Sequence, residues 1–479
     1  MQPDPVLDLL ARAEEVLERE FGELPPHEAE PGTSIAEMAR VLEETAHRLG
    51  DNYPYFHPLY AGQMLKPPHP VARAAYALAM KINPNNHALD GGRASSAMEV
   101  EAVREIAGMF GWKEYVGHLT SSGTFANLEA LWMAGQLAPG KRIVGSEQAH
   151  YTHQRISGVL KLEYTAVAAD SAGRMRLDAL EDELRKGDVG TVVATLGTTA
   201  IGAVDPLDEF LKLKERYGFR VHVDAAYGGY FVLIADALGE PARRAYAAMG
   251  LADSIVVDPH KHGLQPYGCG CVLFRDPAVG RFYKHDSPYT YFTSKDLHLG
   301  EISLECSRAG AAAVALWATQ QLLPLVPGGE FARGLAKGRR AALDLDRRLR
   351  EDERFITLGG LPPRSENPDM GHPPEEFHPP ELDIVVWALH AADFRKSSGQ
   401  AQEVFDACAR LGLHLALVQL PGSWFGHEAE VPKAEPGAPR HEMEAVTCLR
   451  SVLMKPEHEA WMNEIWQRLS AACDEVLNA

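Results

Sequence analysis

Arg-Val-His-Val-Asp-Ala-Ala-Tyr-Gly-Gly (residues 220–229) and Ser-Ile-Val-Val-Asp-Pro-His-Lys-His (residues 254–262) are the two stretches on which the fold turns. Each opens as a short valine-rich run and ends in small or charged residues. Outward from them the pattern repeats. Valine- and threonine-rich runs at residues 142–145, 190–196 and 270–274 alternate with helical stretches at 99–110, 125–136, 177–186 and 207–217. Alternation of this kind predicts an α/β fold with a largely parallel sheet covered by helices on both faces. Ligands in such sheets sit beyond the carboxyl ends of the strands. That is where both stretches carry their histidines, acids and lysine.

The flanks read differently. Residues 1–50 hold one or two amphipathic helices, with Val6, Leu9, Leu10, Ala13 and Leu17 at helical spacing. Residues 52–70 contain five prolines and, between Tyr53 and Tyr60, four aromatic side chains. That is too much proline for regular structure and too many rings for a solvated loop, so the segment is expected to pack on something, a second subunit included. Helical runs follow from Arg308 and over 331–351. Residues 362–380, with seven prolines, read as a surface excursion. Residues 382–389 and 414–420 read as strands of a smaller unit, closed by a helix over 458–477. The expected division is 1–85, 86–327 and 328–479: an N-terminal helical and dimer-contact segment, a large ligand-binding domain, and a small C-terminal α+β domain.

Composition narrows the partners. A formal net charge of −19 with no Lys/Arg cluster argues against nucleic acid. Six cysteines in 479 residues make no disulfide framework, and Cys269 and Cys271 lack the further ligands of a metal site, so no metal is expected. There is no signal-peptide pattern and no apolar run of membrane-spanning length. A reducing cytoplasm suits this usage.

Four strand-end features carry chemistry. Lys261 follows the run at 254–257; in a dry pocket a lysine loses protons more readily and can form a Schiff base with an aldehyde. Asp224 sits in an apolar run, where a carboxylate needs a structural partner or a cationic ligand atom. Ser122, Gly123 and Thr124 open the helical stretch at 125; the arrangement is an N-cap and also a site for a phosphate. It lacks the endings of a Walker loop and of the dinucleotide fingerprint. His150, beyond the run at 142–145, offers a flat ring for stacking.

A phosphate cradle, a stacking ring, a buried acid and a lysine are together what pyridoxal 5'-phosphate requires. In order and spacing, from His150 through Gly-Thr-Thr (197–199) and Asp224 to Lys261, the chain resembles the group II amino-acid decarboxylases over roughly residues 52–320. The resemblance implies fold type I of the pyridoxal-phosphate enzymes, the aspartate-aminotransferase-like fold: a mostly parallel seven-stranded sheet in a large domain, plus the small one. It also implies a homodimer with shared active sites and decarboxylation of an L-amino acid to an amine. By resemblance Lys261 forms the internal aldimine, Asp224 pairs with the pyridine nitrogen and His150 stacks on the ring. Ser122, Gly123, Thr124 and His260 hold the phosphate, and Thr199 bonds near the ring's phenolic oxygen or Asp224. Arg308 and Arg450 match arginines near the site, the first with an equally open reading as a structural ion pair. His57 and Tyr60 match the segment laid against the partner's pocket.

One departure bears on the reaction. Aromatic decarboxylases carry a proton-donating tyrosine on a loop that here, after Tyr291, reads Phe-Thr-Ser-Lys-Asp-Leu-His without one. Tyr289, Tyr291 and His298 are the candidate substitutes. A lyase or an amine-oxidising aldehyde synthase of the same fold stays open as the alternative.

Overall fold

The computed structural model describes residues 5–22, 24–25, 32, 34–87, 91–283, 303–358, 379–425 and 445–478. Four helices come first: α1 (Pro5–Glu20), α2 (Ile35–Leu49), α3 (Pro70–Met80) and α4 (Arg93–Met109). The alternating region then runs β1 (Val116–Thr120), α5 (Gly123–Leu137), β2 (Arg142–Ser146), α6 (Thr152–Leu160), β3 (Tyr164–Val167) and α7 (Leu177–Leu184). It continues through β4 (Val189–Thr195), α8 (Leu207–Tyr217), β5 (Arg220–Asp224), α9 (Ala242–Ala247), β6 (Ser254–Val257) and β7 (Gly270–Phe274).

These seven strands form one sheet in the order β1-β7-β6-β5-β4-β2-β3. β7 runs antiparallel to both its neighbours, and the pairings from β6 to β3 are all parallel. β1, β2, β6 and β7 are buried along their whole length, as strands covered on both faces must be. Their apolar side chains divide between a large core that holds Leu119, Val144, Ile255, Val257 and Leu273 and a smaller one that holds Val116, Val256, Val272 and Phe274, with Ile143 in a third.

Beyond it come α10 (Gly310–Leu322), α11 (Glu330–Arg350), β8 (Phe355–Thr357), β9 (Ile384–Leu389), α12 (Phe394–Arg410), β10 (Ala416–Pro421), β11 (Ala445–Val452) and α13 (His458–Leu477). The second sheet is antiparallel, ordered β10-β11-β9-β8. It shares a separate core with α11, α12 and α13. Among the described residues no helix is long and apolar enough to cross a membrane.

The proline-rich segment packs on this second unit. The Ala61 amide donates to the His414 carbonyl at 2.9 Å, and the Val452 amide to the Ala61 carbonyl at 2.7 Å. Gly62 permits the close approach, since a Cβ there would lie 2.5 Å from the Leu415 carbonyl oxygen. Leu59 and Tyr60 are buried by the same docking, whereas Tyr53 and Phe56 stay exposed.

Candidate active site

The carboxyl ends of β1, β2, β4, β5 and β6 open on one cavity. Ser122, Gly123, Thr124, His150, Thr199, Asp224, His260 and Lys261 all line it. These are the eight positions that the resemblance assigns to the cofactor.

At one end α5 points its N-terminus into the space. Ser122 caps it, its hydroxyl accepting from the Phe125 amide at 3.2 Å. The amides of Gly123 and Thr124 lie in the first turn, where a helix supplies no acceptor, and the positive end of its dipole favours an anion. Position 123 has to be glycine. A Cβ there would run into the Asp258 carboxylate, 2.6 Å from Oδ1.

Asp258 has no role in the motif reading, yet it is buried in the same wall. Its Oδ2 lies 3.1 Å from Lys261 Nζ, which meets its charge, and 3.5 Å from His260 Nε2. Its Oδ1 is without a partner among the described residues. Lys261 is about one-fifth exposed, and it is the one lysine in the cavity wall among the described residues.

Asp224, at the end of β5, forms the far wall. Its Oδ2 takes His153 Nε2 at 2.7 Å and Asn127 Nδ2 at 3.3 Å, and its Oδ1 takes the Ala226 amide at 3.1 Å. Burial alone would raise its carboxyl. The His153 hydrogen bond first, and then the neighbouring Lys261 ammonium, outweigh that and hold it well below the usual carboxylate range. His150 faces the cavity with Nδ1 2.8 Å from the Thr152 hydroxyl. Burial lowers its pKa against the opposing pull of Asp224, which favours the neutral ring.

The remaining candidates fall elsewhere. Arg308 was the residue with two open readings, and its guanidinium is spent on Glu99 at 2.6 Å and on the Leu119 carbonyl at 2.7 Å, outside the cavity. Glu99 is also fixed by Asn86 and the Leu119 amide. This is a buried ion pair in which removing either partner strands the other. Arg450, on β11, donates to the Thr199 carbonyl at 2.7 Å and the Ala200 carbonyl at 2.9 Å. It grips the loop that carries Thr199 and does not itself line the cavity. Tyr60 is 4% exposed and its hydroxyl accepts from the Gln63 amide, so within its own chain it is a packing residue. His57 lies in a shallow surface hollow beside Trp461, ring centroids 4.9 Å apart. Tyr289, Tyr291 and His298 lie outside the described residues.

A family model described as the pyridoxal-dependent decarboxylase conserved domain matches residues 52–357. The chain belongs to that family. Among curated relatives, an L-tyrosine decarboxylase of Enterococcus faecium is 29% identical over 60% of this chain and 64% of its own length. A probable L-tyrosine/L-aspartate decarboxylase of Methanoculleus marisnigri is 31% identical over 64% of this chain and 78% of its own. The chain thus spans somewhat under two thirds of the Enterococcus protein. Solved structures agree on the fold. Mouse CSAD superposes with a TM-score of 0.73 at 20% identity, covering 96% of this chain and 92% of that one. The 4-hydroxyphenylacetaldehyde synthase of Rhodiola rosea gives 0.71 at 17%, covering 98% and 97%.

Proposed function

We propose that the chain binds pyridoxal 5'-phosphate and decarboxylates an L-amino acid to the corresponding amine and carbon dioxide. The observation that carries this is the single cavity in which Lys261, Asp224, His150 and the Ser122–Thr124 helix start face one another. The free amides at the start of α5 and the Lys261 amine in the same wall fit a phosphate-bearing aldehyde. When bound, the cofactor supplies the electron sink for the bond to the departing carboxylate.

The chain's own residues supply position and charge. Lys261 would hold the cofactor through its side-chain amine. Asp224 would pair with the pyridine nitrogen and favour its protonated form. His150 would stack on the ring. The amides of Gly123 and Thr124, with Ser122 and His260, take the phosphate. Arg450 sets Thr199 by gripping two successive carbonyls. We take the three segments 1–85, 86–327 and 328–479 as the functional units, and a reducing cytoplasm as the setting, which the six free cysteines suit.

The test is a screen of the L-amino acids, headed by tyrosine and aspartate because relatives are named for them. Amine and carbon dioxide should appear one to one without oxygen uptake. Oxygen consumption with aldehyde and ammonia would favour the synthase alternative, which the tyrosine-free stretch 292–302 keeps in play. Tyr291→Phe and His298→Ala then ask which group returns the proton to carbon.

We further infer a twofold dimer with shared sites. Helix α2 buries none of its residues, and Ile35, Met38, Leu42 and Leu49 make an exposed stripe along one of its faces. Tyr53 and Phe56 extend the exposed apolar surface. Mixing and refolding Lys261→Ala with a bulky change at His57 should return part of the activity, since each heterodimer has one intact site. No recovery in proven heterodimers would mean that each site is built from one chain. Tyr60 is unsuitable for this experiment, because its replacement would damage its own chain's packing.

A further inference from the structure

The buried side of Asp224 carries more structure than a lone carboxylate needs. His153 lies in the first turn of α6, three residues past His150, and is fully buried. Its Nε2 is 2.7 Å from Asp224 Oδ2. A second chain of contacts reaches the same oxygen through Asn127. Behind Asn127 Oδ1 stands His222 Nε2 at 2.9 Å, and behind His222 Nδ1 the Ser254 hydroxyl at 2.9 Å.

The members that only accept fix the protons in this array. A carboxylate only accepts, so Asn127 presents its NH2 to Asp224 and its carbonyl oxygen to His222. That oxygen only accepts, so His222 carries its proton on Nε2. Burial lowers His222 to about 3, which keeps the ring neutral and leaves Nδ1 to accept from Ser254. His153 Nε2 donates to Asp224 on the same logic. Its Nδ1 has no partner among the described residues, and a lone pair left there is tolerated better than an N–H buried without an acceptor. Every hydrogen bond in the array therefore runs toward Asp224.

We propose that His153 is a positioning residue whose imidazole N–H keeps Asp224 ionised and turns its free Oδ1 lone pair into the cavity, toward the ring nitrogen of the bound cofactor. A packing role alone does not call for histidine. A fully buried imidazole is costly unless it is hydrogen-bonded, and the bond it makes goes to the cavity's far acid. Other charged or titratable groups also stand near Asp224. Lys261, His150 and Tyr227 line the cavity with it, His222 stands behind it on β5, Tyr164 on β3 feels its charge, and Asp258 lies in the same wall. The inference rests on the reading of Asp224 as partner of the ring nitrogen.

The experiment begins with the cofactor-free full-length chain. With aspartate carboxyl carbons labelled in 13C, the Asp224 signal is assigned by its loss in Asp224→Asn. It should stay at its ionised position down to about pH 4 in the parent chain and in His153→Gln, whose amide places a donor near the Nε2 position. In His153→Phe and His153→Leu its midpoint should rise by about one pH unit or more, a tenfold change in proton affinity. The two apolar variants differ in shape, so a folding failure in one leaves the other. In the loaded enzyme, the visible band of the bound cofactor should move toward that of Asp224→Asn in the apolar variants and stay in place in His153→Gln. An unmoved Asp224 titration in folded His153→Phe or His153→Leu, or a Gln variant that behaves like them, overturns the proposal. A moved titration with an unmoved loaded spectrum overturns the ring-nitrogen reading of Asp224, and with it the proposed aim of His153.

Discussion

Borohydride treatment of the loaded protein should bleach its yellow colour and fix the cofactor to a peptide carrying Lys261. Lys261→Ala should remain unlabelled and lose roughly 10⁴-fold or more in turnover, the scale on which removing a nucleophile acts. Lysine reactivity alone does not single out this residue. Lys455 is buried and Lys66 half-buried, and desolvation first of all pulls both down, Lys66 to about 8 and Lys455 to about 7. Each is the easier amine to deprotonate in that sense. Placement decides otherwise. Lys455 is tied to the Tyr60 carbonyl at 2.6 Å and Lys66 faces the Met454 carbonyl at 3.5 Å, and neither lines the cavity. Lys261 stands in the wall of the cavity that the phosphate cradle and Asp224 also line. A labelled peptide carrying Lys66 or Lys455 would sink the assignment, and so would turnover in Lys261→Ala within tenfold of the parent.

Much of this site is legible in the sequence because the sheet is parallel. Parallel strands deliver their carboxyl ends to one edge, so four motifs scattered over more than 130 residues converge without any long-range information. What stays hidden is what tertiary contact alone creates. His153 and Asp224 are 71 residues apart, and a histidine in the first turn of a helix carries no mark of the acid it will meet. Arg308 and Glu99 are 209 apart, so local reading leaves ion pair and substrate contact equally open. β1 reads Val-Gly-His-Leu-Thr, with two polar residues and a glycine among five, yet every position is buried. Its histidine places Nε2 3.0 Å from the carboxylate of Glu129, itself fully buried on α5. The segment at 52–70 is the instructive case. Its proline and aromatic content signals packing correctly, but composition does not say against what. Leu59 to Gly62 dock on the chain's own second unit through backbone bonds that any sequence of suitable size would make, while Tyr53 and Phe56 remain outside.

Replacing Asp224 by alanine should leave a folded protein that still takes up the cofactor through the Ser122–Thr124 cradle and Lys261, but with turnover lower by about 10³-fold, as for loss of a preorganised electrostatic partner. The argument is one of charge. The donors on Asp224 hold it ionised despite full burial. An ionised acid beside a ring nitrogen favours the protonated nitrogen, and a protonated ring takes up electron density far better than a neutral one. Alanine removes the charge and leaves His153 and Asn127 with buried donors facing a void, so some stability should be lost as well. Asp224→Asn separates the two effects. Its amide refills the space and partly satisfies the neighbours, yet it carries no charge. Stability should therefore recover toward the parent in Asp224→Asn while turnover stays near the alanine level. Thermal unfolding and steady-state rates on the two variants read these independently. If turnover recovers along with stability in the asparagine variant, the charge of Asp224 is not what the reaction uses, and its role is to fill and brace the wall.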